Sequence, residues 1–347
     1  MKTEDKLMIR ALRGHVDERP PFWLMRQAGR YLPEYKEIRK EAKNFLNFCY
    51  TPDRAVEVTL QPLRRYAMDA AILFCDILVI PDALGQSVAF KEGEGPVLDP
   101  IQTVEGLAQL DPARVLDHLA PVFETLSRLS REIPKTTALI GFAGAPWTVA
   151  VYMVEGRGGT ECGTARTWAY RAPDEFAKLI DILVEATSMY LIEQVKHGAE
   201  VLQLFDSWAG VLSETQFRNL VIEPNRRIVE NVRAVYPDIP IIGFPRNAGS
   251  LYSEFVEKTG VNGVSIDHSV SIEWAVNNIQ DKCTVQGNLD NHALLAGGKS
   301  LEQEMIRILN GFSGGPYIFN LGHGVIQFTP PEHVQMVSDI VRNWSNS

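Results

Sequence analysis

The chain has 347 residues, 45% of them hydrophobic and 22% charged, enough to bury a large core. A formal net charge of −9 excludes a polyanion-binding surface spread over the whole molecule, so nucleic acid is not an expected partner and an anionic ligand needs a local cluster of cations. No run approaches the roughly 18 apolar residues of a membrane helix. The charged start, Lys2 to Lys6, lacks the apolar stretch of a secretory leader. Four cysteines, Cys49, Cys75, Cys162 and Cys283, lie far apart in sequence with no CxxC pair, which argues against zinc-ligand spacing and a disulfide framework and fits a reduced cytoplasmic setting.

The first predicted element is a short strand, Phe22-Trp23-Leu24-Met25, bounded by Pro20-Pro21 and Gly29. It runs into Arg26 and Arg30, two planar donor forks suited to carboxylate or phosphate; from charge alone they could equally be surface arginines in a turn. Helices are expected over 33–48 and 52–67, the second opening at Thr51-Pro52. The apolar run Ala70 to Cys75 ends at Asp76, and a small hairpin over 87–96 follows. Helical signals cover 103–109 and 112–131, then a strand at 138–142 and a helix from Pro146. The loop Gly156-Arg157-Gly158-Gly159 has the composition of a mobile surface loop or lid. Beyond it, strands at 201–205, 239–244, 263–266, 283–287 and 317–321 alternate with helices at 173–197, 213–235, 250–259, 271–279, 300–311 and 330–344. Continuous apolar strands suit a sheet buried on both faces, and alternation with helices implies parallel crossovers. Eight such units predict a single-domain (β/α)8 TIM barrel over residues 1–347, with extra helices and loops at its C-terminal face; an open doubly wound sheet has the same periodicity.

Polar groups collect at the strand ends, where such barrels keep their active sites. They are Arg26 and Arg30, Asp76, Tyr152 beyond Gly144, Asp206 and Ser207, Arg246 and Asn247, Asp267 and His268, Gln286, Asn288 and Asp290, and His323. Asp206, Asp267 and Asp290 also suit helix caps. Asp76 is one charge inside a long apolar stretch and needs either a buried arginine or a ligand. Gly141 to Thr148 reads as a glycine loop entering a helix at Pro146, a ready anion site. It lacks the dinucleotide-binding spacing. Gly297-Gly298-Lys299-Ser300 lacks the P-loop's first glycine, and no Gly-x-Ser-x-Gly elbow occurs.

The decapeptide Met25-Arg26-Gln27-Ala28-Gly29-Arg30-Tyr31-Leu32-Pro33-Glu34 resembles the N-terminal signature of the uroporphyrinogen decarboxylase family. Further blocks follow in order: Phe74 to Pro81, Gly141 to Gly156, Leu202 to Gly210 and Asn320-Leu321-Gly322-His323-Gly324. Two departures stand out, Asn247 where the family has glycine and the unusual stretch Val325-Ile326-Gln327-Phe328.

The resemblance implies a carboxy-lyase that converts the four acetate side chains of uroporphyrinogen III to methyl groups, without cofactor or metal, as a homodimer. It places Arg26, Gln27, Ala28, Gly29, Arg30, Asp76, Tyr152, Ser207 and His323 at the polycarboxylate tetrapyrrole, with Asp76, Arg26, Tyr152 and His323 in catalytic roles; Arg39 and Phe45 would extend the wall. Alternatives within reach are a zinc-dependent corrinoid or thiol methyltransferase of the same fold, for which no His-x-Cys pair exists, and a non-catalytic tetrapyrrole binder.

Overall fold

The computed structural model describes residues 2–91 and 93–346. Its strands are β1 (Ala70–Ile72), β2 (Val88–Lys91), β3 (Gly95–Leu98), β4 (Ala138–Gly144), β5 (Val201–Asp206), β6 (Ile241–Pro245), β7 (Gly263–Ser265), β8 (Thr284–Leu289) and β9 (Tyr317–Leu321). Apart from the antiparallel hairpin β2–β3, they form one parallel sheet in the order β1-β4-β5-β6-β7-β8-β9. Helical crossovers join successive strands, as the alternation of apolar runs requires.

The eighth place, between β9 and β1, is taken by Pro21 to Met25. The expected strand is here an extended segment with one parallel bridge, Phe22 opposite Phe319. Other N–H groups of the segment bond side chains, and its carbonyls accept from backbone. Phe22 N donates to Asp69 Oδ2 (3.0 Å), Met25 N donates to Asn320 Oδ1 (3.0 Å), and Phe22 O accepts from Asp69 N (3.0 Å). Asp69 is itself held by both guanidinium nitrogens of Arg19 at 2.8 Å. The segment thereby closes the ring.

Alternation along each strand sorts the core into two layers. Trp23, Met25, Ala70, Ala138, Ile140, Val201, Ile242, Phe244 and Ile318 fill the interior, while Ala71, Leu139, Leu202, Leu204 and Ile241 face the helices. A helix that the sequence reading missed, Leu7–Leu12, plugs the floor with Met8, Ile9, Ala11 and Leu12. Ala11 O accepts from Thr284 Oγ1 (2.6 Å), and Lys6 Nζ reaches Thr137 O and Glu200 Oε2. Midway up, Trp23 Nε1 donates to Gln286 Oε1 (2.9 Å), and Gln286 in turn bonds Gln203 and Ser265. This buried amide belt is satisfied within itself and separates the apolar floor from the mouth.

Several boundaries differ from expectation for local reasons. The 33–48 helix is two, Pro33–Glu41 and Phe45–Cys49, because Asn44 accepts from Asn47 N and starts a new helix. The 213–235 helix contains a π segment, Arg218–Ile222, just before Pro224, which has no N–H to continue the regular ladder. Gly141 to Gly144 is the end of β4 rather than a loop. The helix start beyond it is packed inside: Ala145, Pro146, Trp147 and Thr148 are all buried, so the expected anion site at this N-terminus is absent.

Candidate active site

The barrel mouth is built by loops after the strands. Met25 ends the eighth segment, and the chain turns at Arg26 with φ +62°, a left-handed conformation uncommon for any residue other than glycine. The turn is fixed from below by Gln27. This side chain is fully buried, donates to Ala70 O (3.3 Å) and accepts from Leu24 N (3.3 Å). Gln27 therefore shapes the turn and presents no free side-chain group to the mouth. The backbone N–H groups of Ala28, Gly29 and Arg30 donate to no acceptor among the described residues. With Arg26 and Arg30 beside them they form an anion-receptive concavity.

Asp76 lies four residues past β1, in the loop before the helix Val79–Leu84. Its Oδ1 accepts from Leu78 N (2.9 Å), which leaves Oδ2 free of protein donors among the described residues. Crowding by protein atoms raises its pKa, against the bond from Leu78 and the pull of Arg26. The same crowding lowers the pKa of Arg26, with Asp76 and Tyr152 opposing the shift and Arg30 and Arg246 adding to it. Arg26 is nevertheless open to solvent on its outer side, as expected of a group at the rim of a concave mouth. Behind Asp76, Cys75 approaches Cys49, distant in sequence, and that neighbouring sulfur together with burial pushes the Cys49 thiol well up. Both cysteines are free.

Tyr152 projects from the helix Pro146–Glu155, half-buried, its ring 6.4 Å from that of Trp208. Gly158 packs against that ring, since a Cβ there would lie 3.0 Å from Cε1. The glycine loop noted in the sequence thus leans over the tyrosine. Burial and the nearby Asp76 raise the pKa of the phenol. Ser207 follows β5 with a hydroxyl that bonds no described residue.

His323 sits on the loop after β9, and both flanking glycines are required there by close approach. A Cβ at Gly322 would overlap the backbone of Asp267 and His268, and one at Gly324 would overlap Cδ and Cγ of Arg26. Burial, with Arg26, Arg246 and His268 nearby, pushes His323 down to about 3. It is neutral at physiological pH.

Other strand-end residues have structural work. Asp206 points outward to the helices, where its Oδ1 accepts from Thr148 Oγ1 (2.6 Å), and burial pushes it up to about 7. Asp290 caps the helix Asn291–Ala296 through His292 N. Asp267 accepts from Asn247 N, Tyr252 Oη and Ser269 and ties its own loop, after β7, to the loop after β6 and to the helix Leu251–Thr259. Arg39 lies over the rings of Phe45 and Phe48, 5.8 Å from each centroid, so it belongs to an aromatic cluster. Asn247 adopts φ +61°, the conformation the glycine expected there would take freely and asparagine tolerates. Phe328 is 74% exposed. Among the described residues no three His, Cys, Asp or Glu side chains converge as a metal site needs.

The comparisons decide the family. A family model described as uroporphyrinogen decarboxylase (URO-D) matches residues 3–344. The chain is 55% identical over 341 residues to the uroporphyrinogen decarboxylase of Rhodospirillum rubrum, covering 98% of each chain. It is 51% identical to that of Paracoccus denitrificans over 97% of this chain and 99% of that one. The chain belongs to the uroporphyrinogen decarboxylase family. It is accordingly a carboxy-lyase of porphyrin biosynthesis, and the methyltransferase alternative is not favoured. Among solved structures, a methyltransferase from Methanosarcina mazei shares the fold with a TM-score of 0.77 at 18% identity, covering 96% of this chain and 97% of that one. At that identity the likeness extends to the barrel alone.

Proposed function

We propose that this chain removes carbon dioxide from the four acetate side chains of uroporphyrinogen III, giving coproporphyrinogen III, with the substrate as its own electron sink. Protonating a pyrrole α-carbon makes an iminium-like cation, and the electrons of the departing carboxylate neutralise it. What remains for the protein is to hold carboxylates, stabilise the transient cation and deliver protons. The observation that carries the reading is Asp76, a carboxylate with one oxygen free, within electrostatic reach of Arg26, which makes no ion pair among the described residues.

Asp76 Oδ2 accepts pyrrole N–H groups and stabilises the cation. Arg26, Arg30 and the free amides of Ala28 to Arg30 hold acetate and propionate carboxylates and fix register. Tyr152 and Ser207 orient the carboxylate to be lost. His323, held neutral, offers one ring N–H as a donor rather than a full positive charge. The enzyme acts as a homodimer in the cytoplasm. Supporting this are the exposed Phe328, which a second copy would cover, and the adjacent but unbridged Cys49 and Cys75.

The test is anaerobic incubation of chelator-treated protein with uroporphyrinogen III, with products oxidised and separated by carboxylate number. Stepwise loss of four carboxylates is expected. Asp76→Asn should keep the melting temperature and lose turnover by about a hundredfold or more; near-normal turnover would remove Asp76 from the mechanism. Binding without any loss of carbon dioxide would mark a tetrapyrrole carrier instead.

A further inference from the structure

We propose that Arg246 holds a substrate carboxylate on the wall of the barrel mouth opposite Arg26; the inference rests on the tetrapyrrole reading above. Arg246 is the residue after Pro245, the end of β6. In the sheet order, β6 is four places from the Pro21–Met25 segment in either direction, through β1, β4 and β5 or through β9, β8 and β7. The two arginines therefore stand on opposite walls of one opening. The positive charges of Arg26 and Arg246 both disfavour a charged His323, and that of Arg246 also opposes the charge on Arg26, so the three side chains lie around a common space.

Among the described residues the guanidinium of Arg246 has no partner. Its Nε is buried without an acceptor, and the arginine ion pairs among the described residues, such as Arg19–Asp69 and Arg218–Glu254, do not include it. The carboxylate on its flank, Asp267, is already occupied by Asn247 N, Tyr252 Oη and both donors of Ser269. The base of the side chain is fixed: Arg246 N donates to Asp206 O (3.1 Å), and Arg246 O accepts from Gly210 N (3.0 Å). A rigidly rooted cation with its inner nitrogen desolvated and no counter-charge is a receptor for an anion brought in from outside. A macrocycle carrying carboxylates around its whole rim needs cations on facing walls. Arg26 and Arg30 supply only one wall.

The experiment compares Arg246→Met, which keeps the apolar stem volume, with Arg246→Lys, which keeps the charge. Each is assayed by steady-state decarboxylation and by fluorescence titration with uroporphyrin, the stable oxidised macrocycle. The Met variant should raise KM and weaken uroporphyrin binding by about tenfold or more, with kcat within roughly threefold of the parent. The Lys variant should recover most of that loss. Unchanged KM and unchanged uroporphyrin affinity in the Met variant would overturn the inference. Equal losses in the Met and Lys variants, or a fall in kcat alone, would assign Arg246 a structural role and overturn it too. An inactive parent protein would overturn the decarboxylase reading, while the titration still decides Arg246. If the Met variant fails to fold, Arg246→Gln answers the same question.

Discussion

Asp206 shows how a strand-end carboxylate can serve stability rather than chemistry. Its pKa stands near 7 in the fold against an ordinary 3.8, because burial outweighs the bond from Thr148. Between those values the folded protein holds a proton that the unfolded chain has released. The stability this group contributes is full below about pH 4 and is lost as pH rises through 7, at about 1.4 kcal/mol per unit and about 4 kcal/mol in all. Asp206→Asn, neutral throughout, should gain on the parent protein by about 3 kcal/mol between pH 4.5 and 7.5 in urea unfolding. Parallel curves for the two proteins would refute the shift. At the same scale the sequence was only partly legible. Arg26, Arg30, Asp76, Tyr152, Ser207 and His323 occupy loops and helix faces around one mouth, and the motifs that carry the resemblance contain all of them. Gln27 was placed at the substrate by the resemblance, and its side chain faces inward to Ala70, where it shapes the turn. Nothing in linear spacing reveals which way a turn residue points. Arg246 was visible as a strand-end cation, but its lack of a partner is a fact of three dimensions.

At the scale of elements, the loop after β9 is the most constrained piece of the mouth. Gly324 leaves room for the stem of Arg26, and a methyl group there must push the guanidinium aside. Gly324→Ala should keep the fold and cost between about tenfold and a hundredfold in kcat/KM, since displacements near 1 Å carry penalties of that size. Normal kinetics would show that Arg26 can reach its position by another route. Helix existence was legible from apolar periodicity; helix continuity was not, because Asn44 and Pro224 act through hydrogen bonds that a periodic pattern does not encode. The helix Leu7–Leu12 escaped notice for a related reason. It spans few turns, and its apolar face is defined by the barrel floor it fills.

Over the whole molecule, floor and mouth are separate in function. Leu12 is buried against the barrel interior, and Leu12→Ala should cost about 2–5 kcal/mol of stability. Because the belt of Trp23, Gln203, Ser265 and Gln286 intervenes, kcat/KM at moderate temperature should not change. A matching loss of activity in the folded variant would mean that floor and mouth are coupled. Eight strand-helix units were countable in the sequence, and parallel order followed from their alternation. Closure was not countable, since it rests on one bridge and on the side chains of Asp69 and Asn320.

That closure also bears on when the enzyme comes into being during synthesis. Met25 N is held by Asn320, 295 residues further along the chain. The turn that carries Arg26 is among the first pieces to leave the ribosome, yet its partner strand is among the last. Helical crossovers between neighbouring strands can form as they emerge, whereas this contact closes a loop of 295 residues and carries a correspondingly large loop-closure entropy. A nascent chain lacking β9 can hold most of its sheet but has no second side to its arginine turn. Catalytic competence therefore arrives in one late step, when the Arg26 turn meets β9.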